Sequence, residues 1–293
     1  MNIQWYPGHM TKTRRQIEAD LKNVDMVAEI LDARIPSASR NPDIDAIVRD
    51  KPRLIVLNRA DQADPEGCRQ WCDAFRAKGW GTLLTDAKTG KGVKEFSLSV
   101  RQTLAEQIAR WKERGQVGRT VRVMIVGVPN VGKSTFINQV AGRKSAKAGD
   151  RPGVTRGKQW VAVERGLDLL DTPGILWPKF DDPQVGLYLA YTGAVKDDIM
   201  DTETLACHLL DDLSRRYPAA LAQRYKLDIP PRDEEESPVA YGYGLLQAAA
   251  AGRGFRISGG EVDTLRMANV LLDEFRGGKL GRVTLEWPGE ATP

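Results

Sequence analysis

Residues 127–134 constrain this chain more than any other stretch, because their pattern specifies a strand, a loop and a helix together. They read Gly127-Val-Pro-Asn-Val-Gly-Lys-Ser134, a complete G-x-x-x-x-G-K-S motif. An apolar run at 121–126 precedes the motif and a helix-like run at 135–141 follows it, the setting in which glycine-rich loops wrap phosphate groups. The motif predicts a solvent-facing site for a nucleoside triphosphate, with Lys133 also acting in catalysis. The predicted contacts are Asn130, Val131, Gly132, Lys133, Ser134 and Thr135.

A second phosphate-related motif, Asp171-Thr-Pro-Gly174, follows the apolar run at 167–170. At the end of a strand, such an aspartate can hold the shell of a Mg²⁺ ion, and the amide of Gly174 can contact the γ-phosphate. A basic loop at 151–156 lies between the two motifs. Its Thr155 is the candidate for a mobile Mg²⁺ ligand, and an ordinary surface loop is the alternative. The predicted Mg²⁺ ligands are Ser134, Thr155 and Asp171.

The identity of the base is indicated by Asn58-Arg-Ala-Asp61, which follows the apolar run at 53–57. A carboxylate accepts both the N1–H and the 2-amino hydrogens of guanine, whereas adenine offers neither, so this motif favours GTP and disfavours an ATPase. Arg59 replaces the usual lysine, and its aliphatic stem can still cover the base. Thr85-Asp-Ala-Lys88 is a second base-binding loop, in which an amide near Ala87 would donate to guanine O6. The predicted base contacts are Asn58, Arg59, Ala60, Asp61, Asp86 and Ala87.

The order of these motifs and the periodicity of the chain predict the fold. Apolar runs at 24–31, 53–57, 81–85, 121–126, 159–164 and 167–170 alternate with helical patterns at 65–78 and 94–114. This alternation predicts a mostly parallel sheet covered by helices, with an antiparallel hairpin at its last two strands. The base-binding loops precede the phosphate-binding loop, the reverse of the common order. We therefore expect a circularly permuted Ras-like P-loop GTPase domain of the α/β class.

The periodicity changes to helical throughout after residue 180. Helical patterns cover 185–195, 201–217, 218–227, 238–251 and 261–276. The chain is therefore expected to divide into a GTPase domain at 1–179 and a smaller all-helical C-terminal domain at 180–293.

Further segments carry a resemblance to a known family. They are Trp5-Tyr-Pro-Gly-His-Met10, Asp32-Ala-Arg-Ile-Pro36 and Gly278-Lys-Leu-Gly-Arg282. With the permuted motifs, they make the chain resemble the circularly permuted GTPases over nearly its whole length, most closely the ribosome biogenesis GTPase A family. The resemblance implies GTP hydrolysis coupled to a late step in assembly of the large ribosomal subunit. It also implies a helical domain that helps to dock on ribosomal RNA.

The catalytic arrangement departs from that of small GTPases, because Ile175 follows the D-x-x-G motif where a water-orienting glutamine is usual. Asn130 matches a position that binds a monovalent cation in related GTPases, so K⁺ is a candidate cofactor beside Mg²⁺. His9 is a second candidate; it either positions water, contacts RNA or caps a turn. His208 is expected to be either packed or surface-exposed on a helix, and the cysteines Cys68, Cys72 and Cys207 are expected to be structural.

The distribution of charge along the chain does not decide between an RNA partner and a protein partner. Residues 1–179 carry 31 basic and 20 acidic side chains, and residues 180–293 carry 12 and 19. The basic first half suits nucleotides or RNA, whereas the acidic second half favours an alternative, a regulatory GTPase that acts on protein partners without RNA. Within the second half, Arg253, Arg256, Arg276, Lys279 and Arg282 are available to form a basic cluster. Without an apolar leader or a bilayer-length apolar run, we expect a cytoplasmic monomer with no membrane partner.

Overall fold

The computed structural model describes residues 15, 17–142, 159–172, 174, 182–195, 201–233 and 235–290. They form two compact units. The first unit contains the described residues up to 181 together with those from Glu286 onward, and the second unit contains Asp182–Leu285. The sequence placed all of 180–293 in the helical domain; for Glu286–Glu290 this is wrong, because these residues pack on the first unit.

The first unit is built on a six-stranded sheet of order β3-β2-β1-β4-β6-β5. Four neighbouring pairs are parallel and the β5–β6 pair is antiparallel, as the sequence predicted. Strands β1 and β2 are buried along their whole length, which explains their nearly continuous apolar runs. The strands are β1 (Met26–Asp32), β2 (Arg53–Asn58), β3 (Gly81–Leu84), β4 (Val121–Val126), β5 (Gln159–Glu164) and β6 (Leu167–Asp171).

Five α-helices of this unit lie wholly within the described residues, and two of their features were not anticipated. The single helix expected at 94–114 is broken at Leu104 (φ −99°, ψ 12°), and the short helix α1 was missed. Helix α2 begins where expected because Asp64 accepts a hydrogen bond from the Glu66 amide at 2.8 Å. The helices are α1 (Asp43–Val48), α2 (Pro65–Ala77), α3 (Phe96–Thr103), α4 (Ala105–Glu113) and α5 (Lys133–Val140).

The segment Glu286–Glu290 is held on the first unit by a small set of hydrogen bonds. The carboxylate of Glu286 accepts from the Ser37 amide at 2.7 Å and from the Ala38 amide at 3.0 Å. The indole Nε1 of Trp71, on α2, donates to the Glu286 carbonyl at 2.8 Å. The C-terminal segment is thus attached both to the loop after β1 and to a helix.

A buried carboxyl group interrupts the apolar face of the sheet. Val27 and Leu31 of β1 belong to two separate apolar clusters, and Glu29 lies between them on the same face because side chains alternate along a strand. Its Oε2 atom is 3.6 Å from Arg40 Nε and 3.8 Å from Arg53 Nη1. No hydrogen-bond partner of this oxygen is found in the described part of the chain. Burial raises the pKa of Glu29 to about 7, although both arginines act to lower it.

This arrangement makes stability depend on pH. The raised pKa means that Glu29 contributes most below about pH 4.5, and that this contribution is lost as the pH rises to about 7. Glu29→Gln removes this titration, so its unfolding free energy minus that of the wild type is expected to increase by about 2 kcal/mol from about pH 5 to about pH 7.5. Urea denaturation at both pH values measures this difference, with exposed Glu106→Gln as control. A pH-independent difference would contradict the interpretation.

The second unit is helical, as expected. Gly242 on α9 (Pro238–Gly252) approaches the backbone of α7 (Thr202–Arg216) closely. A Cβ atom at Gly242 would lie 2.1 Å from the carbonyl oxygen of Cys207. Glu274 on α10 binds Arg224, Tyr225 and Arg253 at 2.6–3.2 Å and so joins three helices. The helices are α6 (Pro183–Tyr191), α7 (Thr202–Arg216), α8 (Pro218–Tyr225), α9 (Pro238–Gly252) and α10 (Thr264–Arg276).

The remaining sequence expectations concern single residues and membrane spans. All three cysteines are free and buried. His208 is partly buried on α7, and burial lowers its pKa. Among the described residues, no helix has the length and apolar character required to cross a bilayer.

Candidate nucleotide-binding site

The glycine-rich loop connects the end of β4 to the start of α5, and its shape requires glycine. Gly132 has φ 99°, and a Cβ atom there would lie 2.5 Å from Asn58 Nδ2. Gly127 has φ 153°, and a Cβ atom there would lie 2.5 Å from the Ile30 carbonyl oxygen. Both glycines of the motif therefore allow close approach of neighbouring chain.

Lys133 is the first residue of α5 and is only 6% exposed. The expectation that it lies on a solvent-facing loop is therefore wrong. No side chain caps α5 within the described ranges, and the N–H groups of a first helical turn are natural donors to phosphate oxygens. The lysine and this helix end are thus placed together.

The Lys133 ammonium group is held beside an acidic side chain. Its Nζ donates to the carbonyl oxygens of Gly127 at 2.9 Å and Val128 at 2.8 Å. Burial lowers the pKa of Lys133 to about 8, and the charge of Asp171 opposes that shift. Burial likewise raises the pKa of Asp171 to about 6, and Lys133 opposes it. Lys133, at the start of α5, and Asp171, at the end of β6, are thus a buried, electrostatically interacting pair of opposite charge.

The residues around this pair fit a magnesium ion. The Oδ1 atom of Asp171 is buried and has no hydrogen-bond partner in the described structure. An orphaned carboxylate oxygen suits Mg²⁺, which prefers oxygen ligands and usually combines one or two protein groups with phosphate oxygens. No cluster of three His, Cys, Asp or Glu side chains was found where the chain is described, but such a Mg²⁺ site does not require one.

Gly174, the last residue of the second motif, lies against the glycine-rich loop. A Cβ atom at Gly174 would be 2.9 Å from Pro129 Cα and 3.0 Å from Lys133 Nζ. The structure thus brings the two phosphate-related motifs together, as the sequence predicted. Thr155, His9 and Ile175 lie outside the described residues, so their roles stay predictions.

Asn58 ties the base-binding loops to the phosphate-binding loop. Its Nδ2 donates to the Val131 carbonyl oxygen at 2.8 Å. Its Oδ1 accepts from the Ala87 amide at 2.9 Å and from the Thr85 hydroxyl at 3.3 Å. One buried side chain therefore connects three loops that are far apart in sequence.

The second base-binding loop differs in detail from the prediction. The Ala87 amide donates to Asn58, so the amide near Ala87 that is predicted to reach guanine O6 would be a neighbouring one. Asp86 accepts from the Lys88 amide at 2.9 Å and from the Thr89 amide at 3.3 Å, which folds the loop into a tight turn. Asp86 therefore has a structural role that its sequence position alone does not reveal.

Comparison with known proteins places these features in a family. Residues 122–231 match the family described as 50S ribosome-binding GTPase. Ribosome biogenesis GTPase A of Priestia megaterium is 47% identical over 99% of both chains. The chain belongs to the ribosome biogenesis GTPase A family.

More distant relatives agree with this assignment. Mitochondrial ribosome-associated GTPase 1 of Ictalurus punctatus is 32% identical over 96% of this chain and 92% of its own. GNP-bound YlqF from Thermotoga maritima superposes with a TM-score of 0.64 at 27% identity, over 96% of this chain and 100% of that one. As a member of the ribosome biogenesis GTPase A family, the chain is a GTPase with a circularly permuted nucleotide-binding domain.

Within this family site, the Asn58-Arg-Ala-Asp61 loop is arranged by backbone contacts. The Ala60 amide donates to the Thr85 carbonyl oxygen at 3.0 Å. Arg59 has φ 60° and donates from Nη2 to the Asn130 carbonyl oxygen at 3.0 Å. Asp61 is exposed. Thr85, which bonds both Asn58 and Ala60, was absent from the predicted contacts; only its place at the end of β3 could have indicated this role.

Proposed function

We propose that this GTPase acts as a GTP-dependent assembly factor for the large ribosomal subunit. The observation that carries the proposal is 47% identity to a ribosome biogenesis GTPase A along the whole chain, second unit included. The match to a family described as 50S ribosome-binding GTPase supports the large subunit as the target. A cytoplasmic location follows from this proposal, because bacterial ribosomes are assembled there.

In the proposed reaction, each element of the site has a separate task. Asp61 accepts hydrogen bonds from guanine, and Asn58 holds its loop against the phosphate-binding loop. Lys133 neutralises phosphate charge, and the Gly174 amide contacts the γ-phosphate. Ser134 and Asp171, with Thr155, would hold Mg²⁺, which supplies charge neutralisation on the phosphate oxygens. Ile175 cannot orient the attacking water through a hydrogen bond, so His9 is the proposed water-positioning group.

A monovalent cation is the second part of this mechanism. Asn130 lies in the phosphate-binding loop with a left-handed backbone (φ 57°). K⁺ held there would supply positive charge near the transferring phosphate, as an arginine does in other GTPases.

Replacing KCl with NaCl at equal ionic strength is therefore expected to lower GTP turnover markedly, because Na⁺ is smaller and fits a K⁺-sized oxygen cage poorly. Phosphate release in the two salts measures the effect. Asn130→Ala should turn over slowly in both. Equal rates of the wild type in KCl and NaCl would exclude the cation.

The second unit is the proposed RNA-docking part, although fewer basic side chains are available than the sequence suggested. Arg253 is bound to Glu274 at 3.1 Å, and Arg276 donates to the carbonyl oxygens of Tyr191 and Ala190 at 3.0 and 2.9 Å. Arg256, Lys279 and Arg282 are exposed. The proposal therefore assigns phosphate contacts to these three residues.

Co-sedimentation with purified large ribosomal subunits tests the function. We expect more protein in the pellet with a non-hydrolysable GTP analogue than with GDP, and less as salt increases. Lys279→Glu/Arg282→Glu should weaken pelleting, whereas the exposed pair Lys112→Glu/Arg114→Glu on the first unit serves as control. Absence of pelleting with either nucleotide would favour the alternative, a regulatory GTPase that acts on protein partners.

A further inference from the structure

The segment Asp32-Ala-Arg-Ile-Pro36 has no part in the mechanism above, yet it lies beside the nucleotide site. Asp32 is the last residue of β1, and its register partner on β2 is Asn58. The Ala33 amide donates to the Asn58 carbonyl oxygen at 2.9 Å. The start of this segment is therefore attached to the loop that reads the base.

Asp32 is bound by a fully buried arginine. Arg34 donates from Nε to Asp32 Oδ1 at 2.9 Å and from Nη2 to Oδ2 at 2.7 Å. The Arg34 side chain is 0% exposed and that of Asp32 is 4% exposed. Burial alone would raise the pKa of Asp32, but Arg34 and Arg59 hold it below its ordinary value. The bidentate pair gives the carboxylate a rigid position.

Arg59 links this carboxylate to the phosphate-binding loop. Its Nε is 3.7 Å from Asp32 Oδ2, and its Nη2 donates to the Asn130 carbonyl oxygen at 3.0 Å. A planar guanidinium group carries donors in two directions, whereas an ammonium group is a single point charge. The arginine that replaces the usual lysine can therefore contact both groups at once.

We propose that Asp32 is a positioning residue for nucleotide binding, which holds the Arg59 guanidinium group against the carbonyl oxygen of Asn130. With its guanidinium group fixed, the aliphatic stem of Arg59 is ordered beside the base site. The same guanidinium group holds the phosphate-binding loop through the carbonyl oxygen of Asn130. Arg34 is the counterion that keeps Asp32 in place. This inference rests on the GTP site proposed above.

A double-mutant cycle with fluorescent N-methylanthraniloyl-GDP tests the proposal. Asp32→Asn is expected to weaken binding about tenfold in wild type, the low end of the coupling measured for close charge pairs. In the Arg59→Met background, which keeps an aliphatic stem, the same change should have less than about a twofold effect. With GTP, Asp32→Asn should raise KM while kcat stays nearly constant.

Because Asp32→Asn leaves a buried arginine without its charge partner, Asp32→Asn/Arg34→Met is tested in parallel. Removing both members of a buried pair is often tolerated by the fold. Equal losses of GDP affinity with and without Arg59→Met would overturn the positioning role and leave a structural one. Failure of the wild type to bind the GDP probe would instead overturn the nucleotide site itself.

Discussion

Replacing Lys133 with alanine is expected to lower GTP turnover by about 10³-fold or more. The ammonium group donates to the Gly127 carbonyl oxygen of the glycine-rich loop, and its charge interacts with that of Asp171. Without it, charge on the transferring phosphate is not neutralised, and the Asp171 carboxylate adds repulsion. Single-turnover phosphate release with saturating GTP measures the loss.

The burial of Lys133 makes a folding control necessary. Its Nζ satisfies two backbone carbonyl oxygens, so circular dichroism should accompany the kinetics. Lys112→Ala, on the exposed side of α4, is the matched control and should turn over normally. Ser134→Ala should also be inactive, because it removes a Mg²⁺ ligand. A folded Lys133→Ala variant with the parent rate would refute the assignment of the phosphate site.

Exchanging Asp61 for asparagine is expected to change which nucleotide is bound. The amide donates where the carboxylate accepts, so it opposes the N1–H and 2-amino group of guanine and suits the 2-oxo group of xanthine. We expect affinity for GDP to fall on the order of 10³-fold and affinity for XDP to rise. Competition against a fluorescent nucleotide measures both values.

Asp61 is exposed, so this substitution should leave the fold intact. Asp73→Asn, on the exposed face of α2, provides a control of identical chemistry away from the site. GDP affinity should be unchanged in that variant. If Asp61→Asn also keeps its GDP affinity, the base site lies elsewhere.

The sheet could be predicted because its information is local. Buried parallel strands require continuous apolar runs. Each predicted run corresponds to one strand, and both of its ends lie within two residues of the ends of that strand. The permuted order of the motifs then indicated the topology. The break at Leu104 was not predictable in this way, since the sequence there continues a helical pattern. Tertiary packing outweighs local preference at such positions.

The candidate site was predictable in its members but not in its connections. Motif spacing indicated Asn58, Lys133 and Asp171, whose chemistry follows from residue type. It gave no sign that the Ala87 amide bonds Asn58, or that Arg34 is buried on Asp32. The first contact joins the loop after β3 to the end of β2, which the pairing of these two strands brings together. The second depends on how the loop after β1 folds back on Asp32.

The return of Glu286–Glu290 to the first unit makes the helical unit an insertion rather than an appendage. A protein truncated after residue 181 loses the acceptor of the Ser37 and Ala38 amides and of the Trp71 indole along with the helices. The properties of this truncated protein would reflect both the loss of the helical unit and the loss of these contacts within the first unit. Deleting 182–285 and bridging the gap with a flexible linker keeps these contacts, so that variant, and not the truncation, isolates what the helices contribute.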